Sequence, residues 1–247
     1  MTRHILFIAF FAATFTFCTR NDDCPLFQKE SALEEIQLLS TVSIDGVLHL
    51  KYEYDARNRI AQIQWFNEKG EVEGAEIYTY FDDNDLVFVR YSNGETLSFE
   101  QSGNRIYKVK GTERSFYYSL DEQGLITAKH SRSSRSEHAF SSVFAYEYKG
   151  GNLVKTVSEQ NFAYPDESFS IKDTATFVYD DKKSPFYYCQ TPKWFLTING
   201  MDIKNNLISC DIALRYAYTY NDSGFALTRT NILEGSAEEY TYINVTK

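Results

Sequence analysis

The stretch from Leu48 to Ile63, LHLKYEYDARNRIAQI, constrains the fold more than any other part of this chain. Leu48, Leu50, Tyr52 and Tyr54 alternate with His49, Lys51 and Glu53, which is the period-2 pattern of a strand with one buried face. Asp55 to Asn58 then supply short polar side chains that bond their own backbone and tolerate left-handed dihedrals, and from Arg59 an apolar-rich strand runs back. The unit is a β-hairpin.

The chain rewrites this hairpin along its length. Tyr52, Tyr54, Asn58 and Ile60 recur at the same spacing as Tyr78, Tyr80, Asn84 and Leu86, as Tyr118, Leu120, Gly124 and Ile126, and as Tyr146, Tyr148, Asn152 and Val154. A sixth copy reads Tyr218, Tyr220, Gly224 and Ala226, and a degenerate one lies at Phe99 to Ile106. A fifth begins Phe177, Tyr179, Asp180 but meets Lys183 and Pro185 where its return strand should start. The aromatic pair places two rings on one face, Asn or Gly takes the positive-φ position of the turn, and the aliphatic residue opens the return strand. Ile36 to Ser43 followed by Asp45-Gly46 reads as a first strand and tight turn, and Tyr240-Thr241-Tyr242 as a last strand. Pro25 to Glu35 reads as the start of a short helix, and Ser131 to Ser136 and Tyr164 to Glu167 as polar loops.

The expected fold is all-β: an antiparallel meander of repeated hairpins in a twisted sheet that curls or rolls towards an open barrel. Nineteen Tyr and nineteen Phe against two Met and four Pro favour pleated, half-buried surfaces over helices. Leu86-Val87-Phe88-Val89 is apolar on both faces, and a sheet with one wet face would not need that. The net charge of -9 argues against a nucleic-acid footprint.

YEYDARN, YSLDEQG, YEYKGGN and YTYNDSG resemble YD repeats, the tyrosine-aspartate hairpins of Rhs-type shells. The arrangement from Leu33 to Val245 resembles a family of exported Bacteroidota lipoproteins of unknown function, including the Ser184-Pro185-Phe186 break and the Lys204-Asn205-Asn206 stretch. The resemblance implies a hairpin-repeat fold and is silent on activity. Rhs shells use many more repeats, so an encapsulating role is not implied.

Residues 1–17 put Arg3 ahead of an uncharged apolar run from Ile5 to Phe17, too short to span roughly 30 Å of hydrocarbon, and read as an export signal. Cys18 resembles the lipidated cysteine of bacterial lipoproteins, and Asp22-Asp23 the acidic tether of surface-directed ones. Phe17 stands where a small residue is usual, so an unlipidated exported protein and an uncleaved anchor are the alternatives. The expected organisation is a signal at 1–17, a tether at 18–32 and one β-repeat domain at 33–247. The expected place is the outer membrane, at the cell surface or the periplasmic face.

The break in the hairpin rhythm, residues 184–209, is read as an irregular insert. Its Tyr187, Tyr188, Trp194 and Phe195 are the ligand-binding candidates; the alternative is that these rings cap an open sheet edge. Cys189 and Cys210 flank the insert. They either close it as a disulfide, contributing about 3 kcal/mol in the chain-entropy model, or stand as separate small core residues. Cys24 is left over. No zinc pattern, phosphate-cradling glycine loop or nucleophile elbow occurs, and no cofactor is expected. Phe81 to Asp85 has oxygen ligands for calcium but lacks the Gly and distal Glu of an EF-hand loop and reads as an acidic turn, and Asp55, Asp121 and Asp222 stand in turns that they would cap. The expected function is a non-catalytic, monomeric envelope lipoprotein that binds a glycan, peptide or protein partner and meets the membrane only through its lipid. The alternative is a periplasmic carrier or chaperone for a hydrophobic ligand.

Overall fold

A computed structural model describes residues 35–81, 85–110, 113–135, 138–165, 167–211 and 214–246. The hairpin unit fills nearly all of them. In chain order the strands are β1 (Glu35–Ile44), β2 (Val47–Tyr54), β3 (Ile60–Phe66), β4 (Val72–Phe81), β5 (Asp85–Tyr91), β6 (Thr96–Ser102), β7 (Arg105–Lys110) and β8 (Glu113–Leu120). They continue as β9 (Ile126–Arg135), β10 (His138–Lys149), β11 (Asn152–Ala163), β12 (Ser168–Tyr179), β13 (Leu207–Cys210), β14 (Leu214–Tyr220), β15 (Ala226–Asn231) and β16 (Ala237–Thr246). Each strand lies beside its sequence neighbour, and β16 returns to β1, so the meander closes into a sixteen-stranded barrel. At the seam the Thr41 and Thr241 hydroxyls meet at 2.6 Å, and the Asp45 N–H donates to the Ala237 carbonyl at 3.0 Å. The ring of strands closes, but β12 outruns β13, so Ser168 to Ala175 pair with β11 alone and leave one free edge on the ribbon.

One turn recurs at 55–59, 67–71, 121–125 and 221–225. At its first position the side-chain oxygen of Asp55, Asn67, Asp121 or Asn221 accepts the backbone N–H groups two and four residues on. Its fourth residue takes positive φ, at Asn58, Gly70, Gly124 and Gly224. A side chain thus satisfies the donors that the tight loop leaves without ladder partners. In the copy at Tyr146 the expected residue does not serve: Gly150 and Gly151 both take positive φ and make a two-residue turn, and Asn152 begins β11. The register also slips by one residue beside each repeat turn, at Glu53/Tyr54, Thr79/Tyr80, Ser119/Leu120, Glu147/Tyr148 and Thr219/Tyr220. Each slip is a β-bulge in the return strand.

The second tyrosine of the motif has a role beyond packing. Tyr80 donates its hydroxyl to the Ile60 carbonyl at 2.7 Å, and Tyr242 to the Ala226 carbonyl at 2.7 Å. In both cases the acceptor opens the return strand of an earlier hairpin, so the repeat carries its own inter-repeat bond. Tyr54 bonds the Leu39 carbonyl, in the middle of β1, at 2.9 Å.

Two expectations are corrected. Ser131 to Arg135 are not loop residues; they extend β9, with Ser131 opposite Ser142 and Arg132 opposite Ser141. Ladder bonds need only backbone, so the ribbon β9–β12 continues past its apolar stretch. The insert is the loop of the fifth hairpin, since Tyr179 pairs with Leu207 across it, and it spans 180–206 because Leu207–Cys210 are already strand. It contains a helix, α1 (Lys193–Ile198), and its rings do not cap an edge. They fill the lumen: Trp194 lies 5.0 Å from Phe99, Phe195 meets Tyr78 edge-on at 5.5 Å and Phe186 meets Tyr52 edge-on at 5.5 Å.

The plug enters at the rim that carries turns 55–59, 121–125, 150–151 and 221–225, and bonds to the first and the last two of them. Gln190 N–H donates to the Asn58 carbonyl, Lys183 N–H to the Gly224 carbonyl and Lys204 Nζ to the Gly150 carbonyl. Asn152 Nδ2 donates to Asn205 Oδ1 at 2.9 Å, and Asn152 Oδ1 accepts the Asn205 backbone N–H at 3.1 Å. The outer wall carries Lys51, Glu53, Arg90, Glu100, Glu147, Arg215 and Glu239. Aliphatic residues such as Ile77, Val143 and Val157 are exposed as well, but charges spread among them break the continuous apolar band of a barrel immersed in lipid.

Truncating Trp194 to Ala leaves a void in the lumen and is expected to cost about 3–5 kcal/mol in urea unfolding. Tyr80→Phe removes one buried hydrogen bond and is expected to cost about 1 kcal/mol.

Candidate functional site

A cavity of about 490 Å³ occupies the lumen between the plug and the rim away from its entry. The curved wall β4–β3–β2–β1–β16–β15 supplies one side, with Trp65, Tyr52, Tyr78 and Tyr240 facing in. Phe186, Met201, Asp202 and Asn206 of the plug form the floor.

Two Glu-x-Tyr units place charge among these rings, because residues two apart on a strand share a face. Tyr78 donates its hydroxyl to Glu76 Oε2, and Tyr240 donates to Glu238 Oε2 at 2.6 Å. Burial, and then the adjacent carboxylate, pushes the Tyr78 hydroxyl far above its ordinary value. The units differ in their second partner. Arg229, opposite Glu238 in the ladder, donates to Glu238 Oε1 and lies over the Tyr216 ring at 4.7 Å. Glu76 has no ion-pair partner among the described residues. Two polar atoms in the lining, Arg229 Nε and Asn206 Oδ1, are buried without a hydrogen-bond partner among the described residues.

Below the floor, Asp180 holds the neck of the plug. Its carboxylate accepts the Asn206 backbone and side-chain N–H groups at 3.0 and 2.9 Å and the Tyr220 hydroxyl. Asp202 Oδ2 accepts the Leu207 N–H at 3.0 Å, but burial raises its carboxyl to about 6, with Asp180 adding to the rise.

None of the four rings expected to bind ligand lines the lumen cavity; Tyr187 and Trp194 line a second pocket, at the plug rim. Trp194 and Phe195 are 4% and 3% exposed and belong to the core cluster, and Trp194 also edges the pocket at the plug rim. Tyr187 and Tyr188 meet edge-on at 5.0 Å at the plug rim, outside the lumen cavity, with the Lys183 ammonium over both rings at 5.7 and 5.2 Å. Cys189 and Cys210 are free thiols: Cys189 is packed in the plug beside Thr191, and Cys210 pairs with Phe177 in the wall. Asp55 and Asp121 cap their turns as expected, whereas Asn221, not Asp222, caps the last one. His49 stands at the cavity mouth, and His130 stacks on Tyr117 at 4.6 Å on the outer wall. Among the described residues no group of His, Cys, Asp or Glu is placed to hold a metal ion. Cys18, Cys24, the signal and tether segments and residues 82–84 of the acidic turn lie outside the described residues.

Glu76, Glu238, Arg229 and Trp65 did not emerge from the sequence. The Glu-x-Tyr repetition was a usable signal; Arg229 was hidden by the bulge, which turns inward a residue that simple alternation from Ala226 sends outward.

Asp202 gives a pH signature. A carboxyl near 6 in the folded state and near 3.9 unfolded costs stability above pH 6, and the cost vanishes as pH falls through about 4. Asp202→Asn is therefore expected to unfold several degrees above the wild type at pH 8, with the two midpoints converging near pH 4.

No protein-family model matches this sequence, and no curated protein is recognisably similar to it. Among solved structures the chain is similar to a porin-like protein from Bacteroides uniformis ATCC 8492, at 14% identity over 85% of this chain and 98% of that one, with a TM-score of 0.37. It is also similar to a porin-like protein from Bacteroides vulgatus ATCC 8482, at 9% identity over 83% and 99%, with a TM-score of 0.33. A third, TcdB2-TccC3, is 14% identical over 79% of this chain and 11% of that one, with a TM-score of 0.28.

Proposed function

We propose that this chain is a non-catalytic, monomeric cell-envelope lipoprotein, held to the outer membrane by lipid on Cys18, that binds a glycan in the lumen of its barrel. The observation that carries this reading is the lining of the cavity. Trp65, Tyr52, Tyr78 and Tyr240 offer faces for the C–H surfaces of a sugar, and Glu76, Glu238, Arg229 and Asn199 beside them offer partners for its hydroxyls. The volume falls in the range of roughly 300–1,000 Å³ of small-molecule sites.

The competing ligands fit less well. An extended peptide that adds a strand needs a free sheet edge, and the one along Ser168 to Ala175 of β12 is not part of the cavity lining. A hydrophobic cargo would strip water from two glutamates and a guanidinium without replacing its hydrogen bonds. The charged outer wall supports attachment by a lipid rather than immersion. β1 begins at the plug rim, and the cavity lies towards the other rim.

Two measurements test the reading. Protease treatment of intact cells expressing the protein with a C-terminal tag is expected to remove the tag; survival of the tag until the membrane is permeabilised would place the protein inside. On a glycan array, Trp65→Ala is expected to lose at least tenfold in affinity while unfolding as a cooperative barrel. Unchanged binding by that variant would take the site out of the lumen.

A further inference from the structure

Resting on the lumen as a glycan site, we infer that the glycan it takes carries a free ammonium group, seated against Glu76. The two Glu-x-Tyr units are built alike, and each tyrosine donates to its own glutamate. Glu238 has in addition the Arg229 guanidinium, so its charge is balanced within the protein. Glu76 has only the Tyr78 hydroxyl among the described residues, and its charge is felt by the rings of Tyr52 and Tyr91. The Trp65 indole lies against Gly74, one position before Glu76 on the same face of β4: a Cβ at Gly74 would meet the indole at 3.4 Å. A carboxylate without a cation, set among aromatic rings, is complementary to an ammonium group, which supplies charge, N–H donors and attraction to the ring faces together.

Two further observations agree. The Oδ1 of Asn206, a residue with no exposed surface in the cavity floor, is a buried acceptor without a donor among the described residues. The ionisable lining sets Glu76, Glu238 and Asp202 against Arg229, so the lumen opposes anionic sugars and attracts cationic ones. A sugar with an unmodified amine meets these conditions, whereas its N-acetylated form has lost both the charge and the ammonium donors.

The test is calorimetric titration of the purified protein with three β-1,4-linked disaccharides, of glucosamine, of N-acetylglucosamine and of glucose. The glucosamine disaccharide is expected to bind at least tenfold more tightly than the other two. Glu76→Gln keeps an acceptor for the Tyr78 hydroxyl and is expected to keep the wild-type unfolding midpoint while abolishing that preference. If the three bind alike and Trp65→Ala weakens all of them, the ammonium inference is overturned and the lumen glycan site stands. A preference for glucosamine that survives Glu76→Gln also overturns it. Binding of triglycine, lost in Glu76→Gln, with no saccharide binding, overturns the sugar and assigns the seat to a peptide amine. If none of the four probes binds at millimolar concentration, both readings fall.

Discussion

A barrel of sixteen strands encloses more space than the side chains of its own wall can fill, since about eight strands already leave an interior only just occupied by side chains. The remaining features answer that constraint. The repeat builds the wall from a motif with two rings on its inner face, which lines the lumen but leaves its centre open. The centre is filled by the fifth hairpin, whose loop folds inward as a plug with Phe186, Trp194, Phe195 and Leu196 buried against the wall rings. The plug stops short of one rim, and the cavity is the space that it leaves.

The repeat also explains how the plug is held. The described turns that follow the aromatic pair lie at the rim where the plug enters, and the backbone carbonyls of Asn58, Gly150 and Gly224 become its anchors. Gly150 and Gly151 have a double use: by making a two-residue turn they release Asn152 from the turn, and its side chain pairs with Asn205 of the plug. Local turn chemistry and long-range docking are thus set by the same few positions.

The strands, the turn residues and the location of the insert were legible in the sequence because each follows from local periodicity or local φ preference. Closure was not legible, because it depends on Thr41 meeting Thr241 across the whole chain. Nor was the inward orientation of Arg229, since one bulged residue reverses the alternation by which such positions are counted. The composition of the insert marked it as special, but Trp194 is exceptional because it is core, and the polar lumen was assembled from wall residues that look ordinary one strand at a time. Ser131 to Arg135 misled in the other direction: a stretch of polar residues reads as loop when its strand is supported by the ladder alone.

The antiparallel seam between β1 and β16 brings the first rung of one strand beside the last rung of the other, at the plug rim. Nothing in the ring of staves therefore marks where the chain starts. A circular permutant that joins these ends through a short linker and reopens at Gly150-Gly151 would keep every stave in place, and the beginning of the protein is a property of its gene rather than of its wall.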